Sequence, residues 1–262
     1  MEFVIKDVML FRASVEGLKD FLPIASLLVS NEGIRICGLD ASHVGLVDYF
    51  LAAADCTKAN IGMPFKIDVH TKVLFKIDVH TKVLSLILAP ISAGDSVTLI
   101  YKNDKFVVEC FNAKMSKKAV YEVPTLDVDT DRVEIPEVEY SAVVSIKTAD
   151  LLNVVKEVSQ FGDTIKMRLD ADGLHMSAFG DYGTVNQTLE NTEDRDMDLN
   201  NDNESVEVRY SSKYINTMIK AGSPISQYMK MEFDPSVPLR LSFKFGSASH
   251  FITYLAPKTD EV

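Results

Sequence analysis

The sequence has no apolar run approaching the roughly 20 residues that cross a bilayer. Its longest candidate, Val83 to Ile91, is broken by Ser85 and Pro90. The amino terminus, MEFVIKDVML, carries acid early and has no basic segment ahead of an apolar one, so secretion is not expected. Cysteine is scarce. Cys37, Cys56 and Cys110 are an odd set of three with no CxxC pair, which fits small core or near-surface thiols in a reducing compartment. The histidines His43, His70, His80, His175 and His250 include no HExxH and no close pair for a metal. A GxxxxGK[ST] nucleotide loop is also missing. Two acidic runs imitate a calcium loop and fail at the decisive places. After Asp127, Asp129 and Asp131, Arg132 stands where glycine is required and Val138 where glutamate is required. Asp194, Asp196 and Asp198 lead in the same way to Leu199 and Ser205. Both runs read as solvated acidic segments, and no catalysis, metal or cofactor is expected.

Positive charge is in deficit as well, 27 Lys and Arg against 38 Asp and Glu, for a formal net charge of −11. That balance argues against indiscriminate coating of nucleic acid. What is present is a core-forming chain: 262 residues, 47% hydrophobic and 25% charged, enough for one large domain or two ordinary ones.

The two halves repeat one pattern. Ser14 to Ser30 places Val15, Leu18, Leu22, Ala25 and Leu28 at helical spacing, with Pro23 expected to bend the helix. Its counterpart is Thr148 to Phe161, with Leu151, Val154, Val155 and Val158 on one stripe and Thr148 as a candidate cap. Each helix is followed by an acid-Gly turn, Glu32-Gly33 or Asp172-Gly173, and by alternating strands. A second helix follows in each half, over His80–Pro90 and Ser211–Ser223, and then more strands. Between the halves, VPTLDVDTDRVEIPEVE, from Val123, reads as an extended solvated connector, and Glu190 to Glu204 reads as a solvated loop. The expected organisation is two similar α+β domains, 1–122 and 139–262, joined by a connector over 123–138. Chance similarity of two β-rich halves is the alternative.

Charge is distributed unevenly over this plan. Of the 38 acids, four (Glu16, Asp20, Asp150, Glu157) fall in the four expected helices. Of the 27 bases, five fall there (Lys19, Lys82, Lys156, Lys213, Lys220), leaving 34 acids and 22 bases elsewhere. A polar helix face with lysines is ordinarily a solvated face. The functional alternative is a surface that holds a nucleic-acid backbone by phosphate neutralisation. One oddity stands apart: FKIDVHTKVL occurs twice in succession, Phe65–Leu74 and Phe75–Leu84, without a mismatch. The second copy is expected to supply a strand and the helix start, because ten added residues inside a helix would turn its buried face by about 80°. Accidental duplication is an equally open origin.

Several segments together resemble proliferating cell nuclear antigen, the eukaryotic and viral type of DNA sliding clamp. They are GIRICGLDASHVGLVDYFL from Gly33, LDVDTDRVEIPEVEYSAVV from Leu126, QFGDT, DADGLHMSAFGD, and VPLRLSFKFGSASHFITYLAPK from Val237. The resemblance runs end to end in the correct order. It implies an α+β fold of two similar DNA-clamp domains, with antiparallel sheets outside and helices lining a ring of three subunits. It further implies a non-enzymatic processivity factor for replication and repair, in the nucleus or a viral replication compartment. The implied partners are duplex DNA held without regard to sequence, DNA polymerase, the clamp loader, other peptide-motif proteins and further copies of the chain; no membrane is implied. Carried over by position, Lys19, Lys82, Lys156, Lys213 and Lys220 would face DNA, whereas Asn153 and Ser85 stand where bases are usual. Leu39, His43, Val44, Leu46, Leu126 (or Val133), Pro238, Leu255, Ala256 and Pro257 would form the partner-peptide pocket. Without the resemblance, most of these pocket residues read as ordinary strand core. Ala171 replaces the lysine that relatives use for ubiquitin-type modification, so that control is not implied. Lys117 to Val123 is expected to pair across a subunit boundary with the strand around Ser177 to Tyr182. The rival is an open accessory factor of the same fold, which would need a stronger basic face than this chain offers.

Overall fold

A side-chain cap starts the first helix earlier than hydrophobic spacing predicts. Asp7 is extended, and its carboxylate accepts N–H bonds from Met9 (3.1 Å) and Leu10 (3.0 Å), so helix α1 runs Val8–Lys19. Val15 and Leu18 lie on its buried stripe as expected. The stripe stops there, because the helix ends ahead of Pro23. Strand β2 (Ile24–Val29) follows, with Ala25, Leu27 and Val29 facing the core. The helix expected over Ser14–Ser30 is therefore a helix and a strand.

The computed structural model describes residues 1–61, 73–128, 135, 137–200 and 204–259. They form two compact units. The first comprises Met1–Ala41, Val47–Val133 and Lys244–Phe251; the second comprises Ser42–Leu46, Glu134–Phe243 and Ile252–Val262. Around α1 and β2, the first half of the chain adds β1 (Glu2–Ile5), β3 (Gly33–Leu39), β4 (Gly45–Ala52), β5 (Cys56–Asn60), β6 (Phe75–His80), α2 (Thr81–Leu88), β7 (Ser96–Lys102), β8 (Lys105–Asn112) and β9 (Lys117–Val123). The second half runs β10 (Ala142–Lys147), α3 (Thr148–Val158), β11 (Thr164–Asp170), β12 (Gly173–Gly180), β13 (Gly183–Leu189), β14 (Asp196–Leu199), β15 (Ser205–Ser211), α4 (Ser212–Gly222), β16 (Tyr228–Asp234), β17 (Val237–Phe245) and β18 (Ser249–Leu255).

The α-helices and strands of the two halves correspond one for one. In the first, strands lie in the orders β5-β1-β7-β8-β9 and β6-β2-β3-β4; in the second, β14-β10-β16-β17-β18 and β15-β11-β12-β13. Adding nine to each strand number converts one set into the other. The acid-Gly turns recur for one steric reason. Gly33 (φ 151°) and Gly173 (φ 132°) pass so close to Leu51 O and Leu189 O that a Cβ would sit 2.1 and 2.3 Å from those oxygens. Phe3, Leu18, Leu88, Leu99 and Phe106 fill the first unit, and Val144, Leu151, Ile165, Met218 and Phe233 the second.

Two further expectations are refined and a third holds. Thr148 is the first residue of α3 rather than its cap; Lys147 holds the cap position without a side-chain bond to the helix end, and Thr148 Oγ1 donates to Ser226 O (2.8 Å). The acidic stretch Glu190–Glu204 contains edge strand β14, which keeps Asp196 and Asp198 exposed; residues 201–203 lie outside the described set. The second copy of the duplicated decapeptide supplies β6 and the start of α2, as expected. Phe65–Lys72 of the first copy lies outside the described residues. The physical reason for that register is at Leu88, which is 1% exposed. If the first copy opened the helix, Asp78 would occupy that place, an unpaired acid in an apolar core.

Candidate nucleic-acid interface

Helix α1 packs against α2, and α3 against α4, each pair within its own unit. Their apolar stripes are buried, so their polar stripes define the outward faces. The acids on these faces are all engaged. Glu16 accepts from Lys19 and from Ser85 Oγ (2.5 Å), which together hold its carboxyl below the ordinary range. Asp150 lies 3.8 Å from the Arg195 guanidinium, and Glu157 accepts from Gln187 Nε2 (2.6 Å). The bases divide differently. Lys19 is tied to Glu16, and Arg12, which the misplaced helix start hid from sequence reasoning, donates to Ile91 O (2.8 Å) beyond the end of α2. Lys82, Lys156, Lys213 and Lys220 are exposed and make no ion pair among the described residues. These four cations are free to meet a polyanion, at no cost in broken internal pairs. Ser85 is buried and facing Glu16, so its position does not belong to the outward face; Asn153 is exposed.

The residues assigned to a peptide pocket are distributed over both units. In the second, His43 is exposed in a left-handed conformation (φ 58°), Val44 and Pro257 are half-buried, and Pro238 and Ala256 are exposed. Ala256 N–H donates to Val44 O (3.1 Å), which brings the chain end beside the loop ahead of β4. Leu46 and Leu255 are buried. In the first unit, Leu39 is exposed and Leu126 half-buried; Val133 lies outside the described residues.

Two sheet edges carry exposed apolar side chains. Strand β9 ends the first unit's five-stranded sheet, and Phe111, Met115, Val120 and Tyr121 are exposed on or beside it. The edge in the second unit is β13, not the segment expected around Ser177 to Tyr182. Ser177 is already registered with Lys166 on one side and Asn186 on the other, and Gly180 closes a hairpin on Gly183. Phe179 (78% exposed) and Tyr182 (86%) flank this edge. Open edges bearing apolar side chains are aggregation liabilities unless a partner strand covers them.

Among the described residues, no group of three or more His, Cys, Asp or Glu could hold a metal ion, and no helix is long and apolar enough to cross a membrane. Burial pushes the thiols of Cys37 and Cys56 up to about 11, away from nucleophilic character. Asp127 is exposed, while Asp129, Asp131 and Arg132 lie outside the described residues.

Two sequence profiles cover the chain. The one described as proliferating cell nuclear antigen, N-terminal domain, matches residues 1–133. The one described as proliferating cell nuclear antigen, C-terminal domain, matches residues 134–258.

Proposed function

The chain belongs to the proliferating cell nuclear antigen family of DNA sliding clamps and processivity factors, and from that premise we propose that three copies close head to tail around duplex DNA. The carrying observation is the set of four exposed lysines, Lys82, Lys156, Lys213 and Lys220, without an ion pair among the described residues, on the helices of a chain with net charge −11. Such side chains neutralise phosphates and read no bases. The acidic remainder keeps general affinity for DNA low. Retention is then topological: the ring slides freely and is lost only where it can open or run off an end.

Closure uses the two open edges. Strand β9 of one copy pairs with β13 of the next, covering Val120 and Tyr121 on one side and Phe179 and Tyr182 on the other. A heterologous contact of this kind closes when the rotation per subunit divides a full turn. Tethered partners dock through peptides carrying an aliphatic residue and paired aromatics, beside Leu39, Val44, Leu126 and Pro238. Tethering raises the local concentration of polymerase at the primer end without any chemistry by the clamp itself. The site of action is the nucleus or a viral replication compartment.

The test is release on linearisation. Protein loaded by a clamp loader onto nicked circular DNA is isolated, and half the sample is cut once with a restriction enzyme. The clamp should remain on the circle and leave the linear form within minutes. Equal retention on both would mean that affinity holds the protein, and the open accessory-factor reading would replace the ring.

A further inference from the structure

Beyond its last strand, each half of the chain is strapped back onto the same place in its other sheet. In the first unit, Leu126 N–H donates to Asp78 O on β6 (2.8 Å). In the second, Lys258 N–H donates to Arg209 O on β15 (2.8 Å). Since β6 and β15 correspond, the strap is a feature of the repeated fold. The side chains at the two receiving positions do not correspond. Arg209 is exposed, whereas Asp78 is 4% exposed.

A buried carboxylate is costly unless its oxygens are matched by donors. Asp78 has three: Ser26 Oγ–H at 2.5 Å, Lys76 Nζ at 3.1 Å and Val128 N–H at 3.3 Å. Lys76 also donates to Val128 O, so two residues on one face of β6 grip both backbone groups of Val128. The result is a fixed register. Leu126 and Val128 are half-buried and Asp127 is exposed, and a slip of one residue would turn Asp127 toward the sheet.

We propose that Asp78, with Lys76, is the positioning residue that sets the connector's register and holds Leu126 where a partner peptide docks. The assignment rests on the peptide-docking reading above. An undocked connector must be ordered again by each peptide, so the apparent affinity falls by the fraction of molecules in which it is docked.

Hydrogen exchange at the Leu126 and Val128 amides, with calorimetry on a synthetic peptide bearing an aliphatic residue and paired aromatics, tests this. Asp78→Ala should expose both amides to faster exchange and weaken peptide binding roughly tenfold. Oligomer mass and the salt dependence of DNA binding should not move. Asp78→Asn, which keeps an acceptor for Val128 N–H, should recover most of the affinity. If Asp78→Ala does not fold, Lys76→Met, at an exposed position, should give a smaller loss in the same direction. Unchanged exchange and unchanged affinity in the folded variants would overturn the proposal. If the unaltered protein binds no such peptide, the docking reading fails, while exchange at the two amides still decides whether Asp78 pins the connector.

Discussion

Removing one copy of the duplicated decapeptide gives a single product, whichever copy is deleted, because the copies are identical. In that product Pro64 directly precedes Phe75. The connection between Asn60 and Phe75 shrinks from residues 61–74 to residues 61–64, and a roughly 3.5-fold shorter closure favours folding by about 1 kcal/mol. Four residues reach about 17 Å. The prediction requires Asn60 and Phe75 to lie within that reach: Asn60, Glu2 and Ile100 lie side by side, about 10 Å across two strand spacings, and the Phe75 ring stacks on Tyr101, the residue after Ile100. Against the gain stands the loss of Leu74, which is buried and donates its N–H to Val29 O at 2.7 Å. Proline at that place has no N–H, a loss of about 1 kcal/mol, and its smaller ring forgoes about 1–2 kcal/mol of burial. The deletion should therefore cost a net of about 1–2 kcal/mol. Urea unfolding should show an earlier midpoint with an unchanged slope, and native mass should show the same assembly. Adding Pro64→Leu to the deleted chain should recover most of the loss, since leucine restores both the donor and the apolar side chain. Unfolding of the deleted chain, loss of assembly, or no recovery with Pro64→Leu would refute this reasoning and make the extra ten residues structural.

The lysine assignment predicts a change in slope rather than in specificity. With Lys82, Lys156, Lys213 and Lys220 replaced by Ala, the dependence of log K on log salt should flatten by about 0.9 for each phosphate no longer neutralised, without a change in base preference; fluorescence anisotropy over a salt series measures it. Val44→Asp should abolish the calorimetric signal of the aliphatic-aromatic peptide while assembly persists; unchanged binding would place the pocket elsewhere. Asp55 predicts a pH effect. Burial pushes its carboxyl up, but N–H groups of Ser247, Ala248 and Ser249 and the hydroxyls of Ser247 and Ser249 hold it well below the ordinary carboxylate range. A depressed folded pKa gives stability that is present above the unfolded value of about 4 and is lost as pH falls below it. Asp55→Asn should lower the thermal midpoint at pH 7 and flatten its decline below about pH 4; an unaltered acid limb would contradict the assignment.

The duplication of the fold was legible because burial imposes periodicity, and both halves bury the same faces. The second helix of each half lies within two residues of its expected bounds, since α2 and α4 begin at a strand end with an apolar stripe. Helix α1 was misplaced because hydrophobic spacing carried on through Pro23, while Asp7, an N-cap residue ahead of Val8, gave the better signal. Arg12 was lost with that error. The open edge of that sheet lies one strand later than expected, because Gly180 and Gly183 bracket a hairpin that hydrophobic alternation does not mark. For Leu46 and Leu255, sequence could not separate core from groove, since an apolar residue on a strand serves either purpose. Asp78 was not legible at all. Its importance arises from Ser26 and Val128, which only folding brings to it.

Oligomeric mass tests the central claim most directly. Native mass spectrometry at micromolar concentration should give three times the chain mass as the dominant species. Val120→Asp on β9 or Tyr182→Asp beside β13 should reduce it to one. A monomer or a dimer from the unaltered protein would contradict the ring.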